Sequence, residues 1–159
     1  MQSILFIVNP ISGSGRKDAA MKAVERHLDR DRFTAETCYT EYAGHGAEIA
    51  REAAGRGIDI VVAVGGDGTV NEIAGSLVDT ETALAIIPCG SGNGLARHLQ
   101  IPMDPVAAVK VINTAAIVRL DHGTINGRPF FCTCGVGFDA FISMKFAEAG
   151  RRGPATYVE

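Results

Sequence analysis

Apolar residues in this chain follow two alternating periods, and the alternation restricts the fold more than any single motif does. Ser3 to Val8, Ile58 to Val64 and Ala83 to Ile87 are short, rich in β-branched residues, and end at Asn-Pro, Gly-Gly or Pro, as buried strands do. Phe33 to Thr40 alternates polar and apolar residues and reads as a further strand. Between these runs, Met21, Val24 and Leu28 fall at helical spacing, and Val70, Ile73, Ala74 and Leu77 make a full amphipathic stripe. Residues 46–54 form a plausible helix, and Asp104 with Pro105 supplies the N-cap and first position of another that runs to about Asn113. The order predicts a βαβαβαβ unit: a three-layer α/β/α domain with a mostly parallel sheet.

Composition agrees with one packed core. Of 159 residues, 47% are hydrophobic and 21% charged, which excludes a disordered chain. The formal net charge of -3 lacks the basic footprint of a nucleic-acid binder. No window approaches the ~18 apolar residues that a membrane span needs, so a cytoplasmic protein is expected. Cys38, Cys89, Cys132 and Cys134 match neither a disulfide scaffold nor a paired zinc site, and read as reduced, mostly buried thiols. His27, His45, His98 and His122 share no metal-binding spacing.

The style of the sequence changes near residue 116. Ile117 to Ile125 and Arg128 to Val136 flank Asn126-Gly127, a strong hairpin signal. Residues 1–116 are therefore expected to form the α/β domain and 117–159 the beginning of a β-rich second domain, cut short because so few residues seldom build a core alone.

Three glycine-rich turns share one structural address. Asn9 to Gly15 (NPISGSG) follows the first strand, Gly65 to Thr69 (GGDGT) the third, and Pro88 to Asn93 (PCGSGN) the fourth, each before a helix. In an open α/β sheet ligands bind at the carboxyl ends of the strands, where helix N-termini present unpaired amides. Glycine lets the backbone approach an anion closely, so phosphate is the expected guest. Neither the Walker pattern nor GxGxxG is completed, which excludes a P-loop nucleoside triphosphatase and an ordinary dinucleotide enzyme.

Taken singly, several of these residues also have purely structural readings. Thr69 and Glu72 form Thr-x-x-Glu, a capping box. Ser91 suits the N-cap of the helix carrying Leu95 and Leu99, and Asp139 the N-cap of the helix beginning near Phe141. Asn9 and Ser12 are common turn residues, and Arg97 reads as solvated or ion-paired. Asp67 precedes the expected cap, where neither packing nor capping requires a carboxylate, and is the principal catalytic candidate.

NPISG, GGDGTVNE and PCGSGNGLAR, in this order and at these intervals, resemble the catalytic domain of the diacylglycerol kinase and sphingosine kinase superfamily over roughly residues 4–150. Thr40 to Glu48 (TEYAGHGAE) is similar to that family's threonine-containing segment beside the nucleotide, and Gly135 to Ala140 (GVGFDA) to its lipid-facing segment. The resemblance implies an NAD kinase or phosphofructokinase-like fold, ATP, Mg2+, and phosphoryl transfer to the hydroxyl of diacylglycerol or a related long-chain lipid at a membrane surface. It implies nucleotide contacts from Asn9, Ser12, Gly13, Thr40, Gly65, Gly66, Gly68, Thr69, Asn71, Glu72, Gly90, Ser91, Gly92 and Asn93, and a lipid contact from Asp139. Asp67 would accept the hydroxyl proton or hold magnesium through water, with a carboxylate of the second domain as rival base. An NAD kinase-like enzyme and a non-catalytic nucleotide-binding fragment are the alternatives. An apolar surface left where the second domain docks would favour pairing with another copy.

Overall fold

The computed structural model describes residues 1–10, 16–114 and 116–148. Four parallel strands, β1 (Gln2–Val8), β2 (Phe33–Tyr39), β3 (Ile60–Gly65) and β4 (Ala83–Pro88), form one sheet in the order β2-β1-β3-β4. The alternation in the sequence is resolved by the two faces of β1. Ile4, Phe6 and Val8 pack with Ala20, Val24 and Leu28 of the first helical segment and with Ala108, Val109 and Ile112, whereas Leu5 and Ile7 pack with Ala50, Ala53, Val70, Ile73 and Leu77. Helices α1 (Arg16–His27) and α5 (Pro105–Thr114) thus cover one face, and α2 (His45–Gly55), α3 (Asp67–Leu77) and α4 (Gly94–His98) the other. Each fully buried Ile, Leu, Val or Phe contributes ~1.5–3 kcal/mol of transfer free energy. Because β1 and β3 are central and buried on both sides, they read as continuous apolar runs.

The expected strands and helices are present with small shifts at their ends, and Asp104 caps α5, its carboxylate accepting the Ala107 amide at 2.8 Å. The hairpin also forms, but as strands of only three residues, β5 (Gly123–Ile125) and β6 (Arg128–Phe130). Asn126 and Gly127 both have positive φ, 50° and 73°, as a type I′ turn requires. The hairpin lies against α3: a Cβ at Gly75 would stand 3.4 Å from the Pro129 ring, and Phe131 packs on the core beneath. A last helix, α6, spans Phe138–Glu148. It begins before Asp139, so the expected Asp139 N-cap is displaced into the helix; the Asp139 side chain lies outside the described residues. No helix among the described residues is long and apolar enough to cross a membrane.

The thiols depart from expectation, since Cys89 is buried while Cys38, Cys132 and Cys134 are exposed and all four are free. Cys38 is exposed because β2 is an edge strand, covered on one side only.

Candidate functional site

The registers Val8↔Tyr39, Val8↔Val64 and Gly65↔Pro88 align the carboxyl ends of all four strands, so Thr40, Asn9, Gly66 and Cys89 stand along one edge. The strand order reverses between β1 and β3, which places the crevice of an open α/β sheet at Asn9 and the start of α3. There the side-chain Nδ2 of Asn9 donates to Thr69 Oγ1 at 3.1 Å. Thr69 is buried, as is Thr40, whose amide donates to the Val8 carbonyl at 2.9 Å. Ser12 and Gly13 lie outside the described residues.

The second and third glycine turns touch each other. A Cβ on Gly90 would sit 2.5 Å from the Gly66 Cα, and one on Gly92 2.8 Å from Asp67 Oδ2, so the two backbones meet where side chains would clash. Gly65 is equally constrained, since its Cβ would meet Thr69 Cβ at 2.6 Å. These glycines are explained by contacts within the protein. Gly68 is not: it is exposed in the first turn of α3, a Cβ there would meet nothing within 4 Å, and its φ is not positive. A helical glycine with no internal reason costs about 1 kcal/mol relative to alanine.

Asp67 has a structural partner after all. Its Oδ2 accepts the Asn93 amide at 2.8 Å and its Oδ1 the Gly94 amide at 2.6 Å, so it serves the first amides of α4. The expectation that capping does not require it fails because the capped helix is not its own. Ser91 likewise is not the cap of α4. That position belongs to Asn93, buried and left-handed at φ 54°, whose side chain accepts the Gly90 amide at 2.9 Å and donates to the Gly90 carbonyl at 2.8 Å. The capping box also fails: α3 starts at Asp67 behind Gly66, Thr69 is turned to Asn9, and Glu72 Oε1 accepts the Ala47 amide of α2 at 3.2 Å. Arg97 is exposed, yet its Nε holds the Gly92 carbonyl at 2.8 Å. Asn71 lies exposed on the second turn of α3, and Ser91 half-exposed in the third loop.

Two cations at this edge escaped the sequence reading. Arg16 Nη1 donates to the Gly90 carbonyl at 3.3 Å, and Lys17 Nζ to the Pro10 carbonyl. They open α1, against the helix dipole, immediately after a glycine-rich turn. That mismatch was the available signal. With the first-turn amides of α3, they bring donors and positive charge to this edge, which suits phosphate. Among the described residues no cluster of three or more His, Cys, Asp or Glu could hold a metal ion. A magnesium ion carried in with phosphates fits better, because Mg2+ keeps several waters and needs only one or two carboxylates, here Asp67.

Residues 3–125 match the family model of the diacylglycerol kinase catalytic domain. The diacylglycerol kinase of Bacillus subtilis is 36% identical over 141 residues, covering 86% of this chain and 46% of the relative. The probable lipid kinase YegS-like of Chromohalobacter salexigens is 42% identical over 104 residues, covering 63% and 33%. A crystal structure of a diacylglycerol kinase from Bacillus anthracis superposes with a TM-score of 0.70 at 28% identity, covering 81% of this chain and 48% of that one. The chain thus spans less than half the length of each.

Proposed function

This chain belongs to the diacylglycerol kinase catalytic domain family, and from that membership we propose that it is the nucleotide-binding part of an ATP-dependent lipid kinase acting on diacylglycerol or a related long-chain lipid. The observation that carries the reading is Gly68: a bare, exposed first turn of α3 beside the β1/β3 crevice, where nothing in the protein fills the space a Cβ would take.

In the proposed reaction the lipid hydroxyl oxygen attacks the γ-phosphorus, the bond to the β–γ bridging oxygen breaks, and the hydroxyl proton passes to a carboxylate. Catalysis of this kind is mostly positioning and charge neutralisation. The amides around Gly68 and Thr69 and the Arg16 guanidinium receive phosphate oxygens. Asn9 fixes the Thr69 hydroxyl from below. Asp67 is aimed by the two amides it accepts, and each of its oxygens retains a lone pair for a magnesium-bound water or for the hydroxyl proton. Magnesium supplies neutralisation of the phosphate charge. The reading places the enzyme in the cytoplasm, meeting its lipid at a membrane surface, with the remainder of the site contributed by a second, β-rich domain.

Calorimetric titration of this chain with MgATP tests the binding step, and transfer of radiolabelled γ-phosphate to diacylglycerol by a chain extended to the length of its relatives tests the reaction. Absence of ATP binding overturns the reading. In the extended chain, Asp67→Asn that binds MgATP normally but transfers nothing assigns Asp67 to the proton, whereas loss of both assigns it to magnesium. Retention of full transfer removes it from the chemistry.

A further inference from the structure

Strand β2 lies at one edge of the sheet, and only Phe33 of its seven residues is buried. The direction of its backbone groups follows from its two ends: the Gln2 amide donates to the Arg32 carbonyl and the Thr40 amide to the Val8 carbonyl, both at 2.9 Å. Alternate residues of a strand face the same neighbour, so Thr34, Glu36 and Cys38 bond to β1. The amides of Ala35, Thr37 and Tyr39 therefore point out of the sheet and have no acceptor among the described residues, whereas the Phe33 amide is taken by the Asp29 carbonyl. Register with β1 is unbroken over all seven residues, and the strand carries no Pro, Lys or bulge to blunt its edge. The opposite edge is blunted. There the Ala83 and Cys89 amides bond to Asp59 and Gly65, which leaves β4 only the Leu84 and Ile86 amides facing outward, with Ile86 buried and Pro88 next in line.

Phe33 and Ala35 pack on the α1 side of the sheet, so Thr37 and Tyr39 face the same way. Between α1 and β2 lies an open groove of about 590 Å3 with Met21, Val24 and Ala35 as its apolar floor. Its rim carries two acidic residues, Asp18 and Glu25, and two basic ones, Lys22 and Arg30. A rim of balanced sign is complementary to a second copy of itself turned by half a rotation. Antiparallel pairing of two β2 edges centred on Thr37 sets Thr37 against Thr37, and Ala35 against Tyr39 of the other copy, so all three outward amides of each strand find carbonyls. It also brings the Tyr39 ring, otherwise 53% exposed, over Ala35 at the groove. Other registers do less. Centring on Glu36 sets two carboxylates face to face, and centring on Cys38 pairs Ala35 with Glu41, whose amide is already held by His45 Nδ1.

We propose that the β2 edge, with the groove beside it, is a dimerisation surface whose occupant is a second copy of this chain. The contact is isologous: its two-fold axis passes at Thr37 perpendicular to the sheet, the two sheets become one, and both α1 helices flank the seam on the same face. The surface is built from β2 and α1 alone, so the inference does not depend on the nucleotide reading above.

Sedimentation equilibrium of this chain over a range of concentrations should give a mass that rises from monomer to dimer. Thr37→Pro removes an outward amide without touching the bonds to β1, and Thr37→Lys sets two like charges against each other across the axis; each should weaken association by about tenfold or more. Thr37 is exposed, so the lysine variant folds even where proline disturbs the strand. Amide exchange reads the register: the Ala35, Thr37 and Tyr39 amides should gain protection only at concentrations where the dimer forms, and those of Glu36 and Cys38 should be protected throughout. A monomer at every concentration overturns the proposal. So does a dimer that Thr37→Lys forms as strongly as the parent, or one whose formation leaves exchange at Ala35, Thr37 and Tyr39 unchanged, because it joins through another face.

Discussion

Asp67 and Asn93 are 26 residues apart, and the carboxylate of the first accepts the backbone amide of the second at 2.8 Å. That bond, with its companion from Gly94, fastens the start of α3 to the start of α4 and makes one edge of two loops. Asn at position 67 offers one acceptor where the carboxylate offers two, and turns an NH2 group toward the other amide. Asp67→Asn should therefore lower stability by about 1–2 kcal/mol, read as a reduced urea midpoint with unchanged slope. An unchanged midpoint would mean that water replaces the bonds at no cost.

Gly68 separates folding from binding. Gly68→Ala should raise stability by up to about 1 kcal/mol, because a helical position gains a better helix former and no neighbour is struck. The same methyl group would stand over the phosphate, so MgATP and tripolyphosphate should both weaken by about tenfold or more, the loss of one charge-assisted hydrogen bond. Gly65→Ala should do the opposite to folding, destabilising by about 1–3 kcal/mol through overpacking on Thr69.

Glu72 caps a helix other than its own. Glu72→Ala should cost about 1 kcal/mol and raise amide exchange in the first turn of α2, at Ala47 above all. Glu72→Gln, which keeps an acceptor, should stay within a few tenths of the parent.

At the opposite edge of the sheet, the Ser3 hydroxyl and amide both donate to Asp59 Oδ2 at 2.7 Å and hold that carboxyl below its ordinary value of 3.8. A depressed folded value adds stability above the unfolded pKa and loses it as pH falls through the folded one. Ser3→Ala removes the larger contribution, so the acid-unfolding midpoint followed by circular dichroism should move to higher pH. No movement would show the hydroxyl to be dispensable.

Burial pushes the Cys89 thiol up to about 11, with Arg16 opposing only in part. Native protein at pH 8 should therefore react with a thiol reagent at the exposed Cys38, Cys132 and Cys134 and spare Cys89 until denaturant is added. Rapid modification of Cys89 in the native state would contradict its burial in the core at the end of β4.

The four strands, the helices between them and the address of the second and third glycine turns were legible from the residues alone. Hydrophobic periodicity is a local property: once β1 alternates Ile4, Phe6, Val8 against Leu5 and Ile7, both faces must be covered, and short parallel strands joined by helices achieve that. The motifs carried the family as well. What the residues could not disclose is which atom answers which across the chain. Thr-x-x-Glu is a sound local cap, yet Glu72 serves α2 and Thr69 serves Asn9. Asp67 looked unneeded because its partners arrive 26 and 27 residues later. Glycines 65, 66, 90 and 92 resemble phosphate-cradling glycines in sequence, but only the folded chain shows backbone pressed on backbone there and open space at Gly68. Periodicity follows from which face of an element is buried, whereas hydrogen-bond partners and close approaches depend on distances between segments remote in sequence. Those distances exist only once the sheet has assembled.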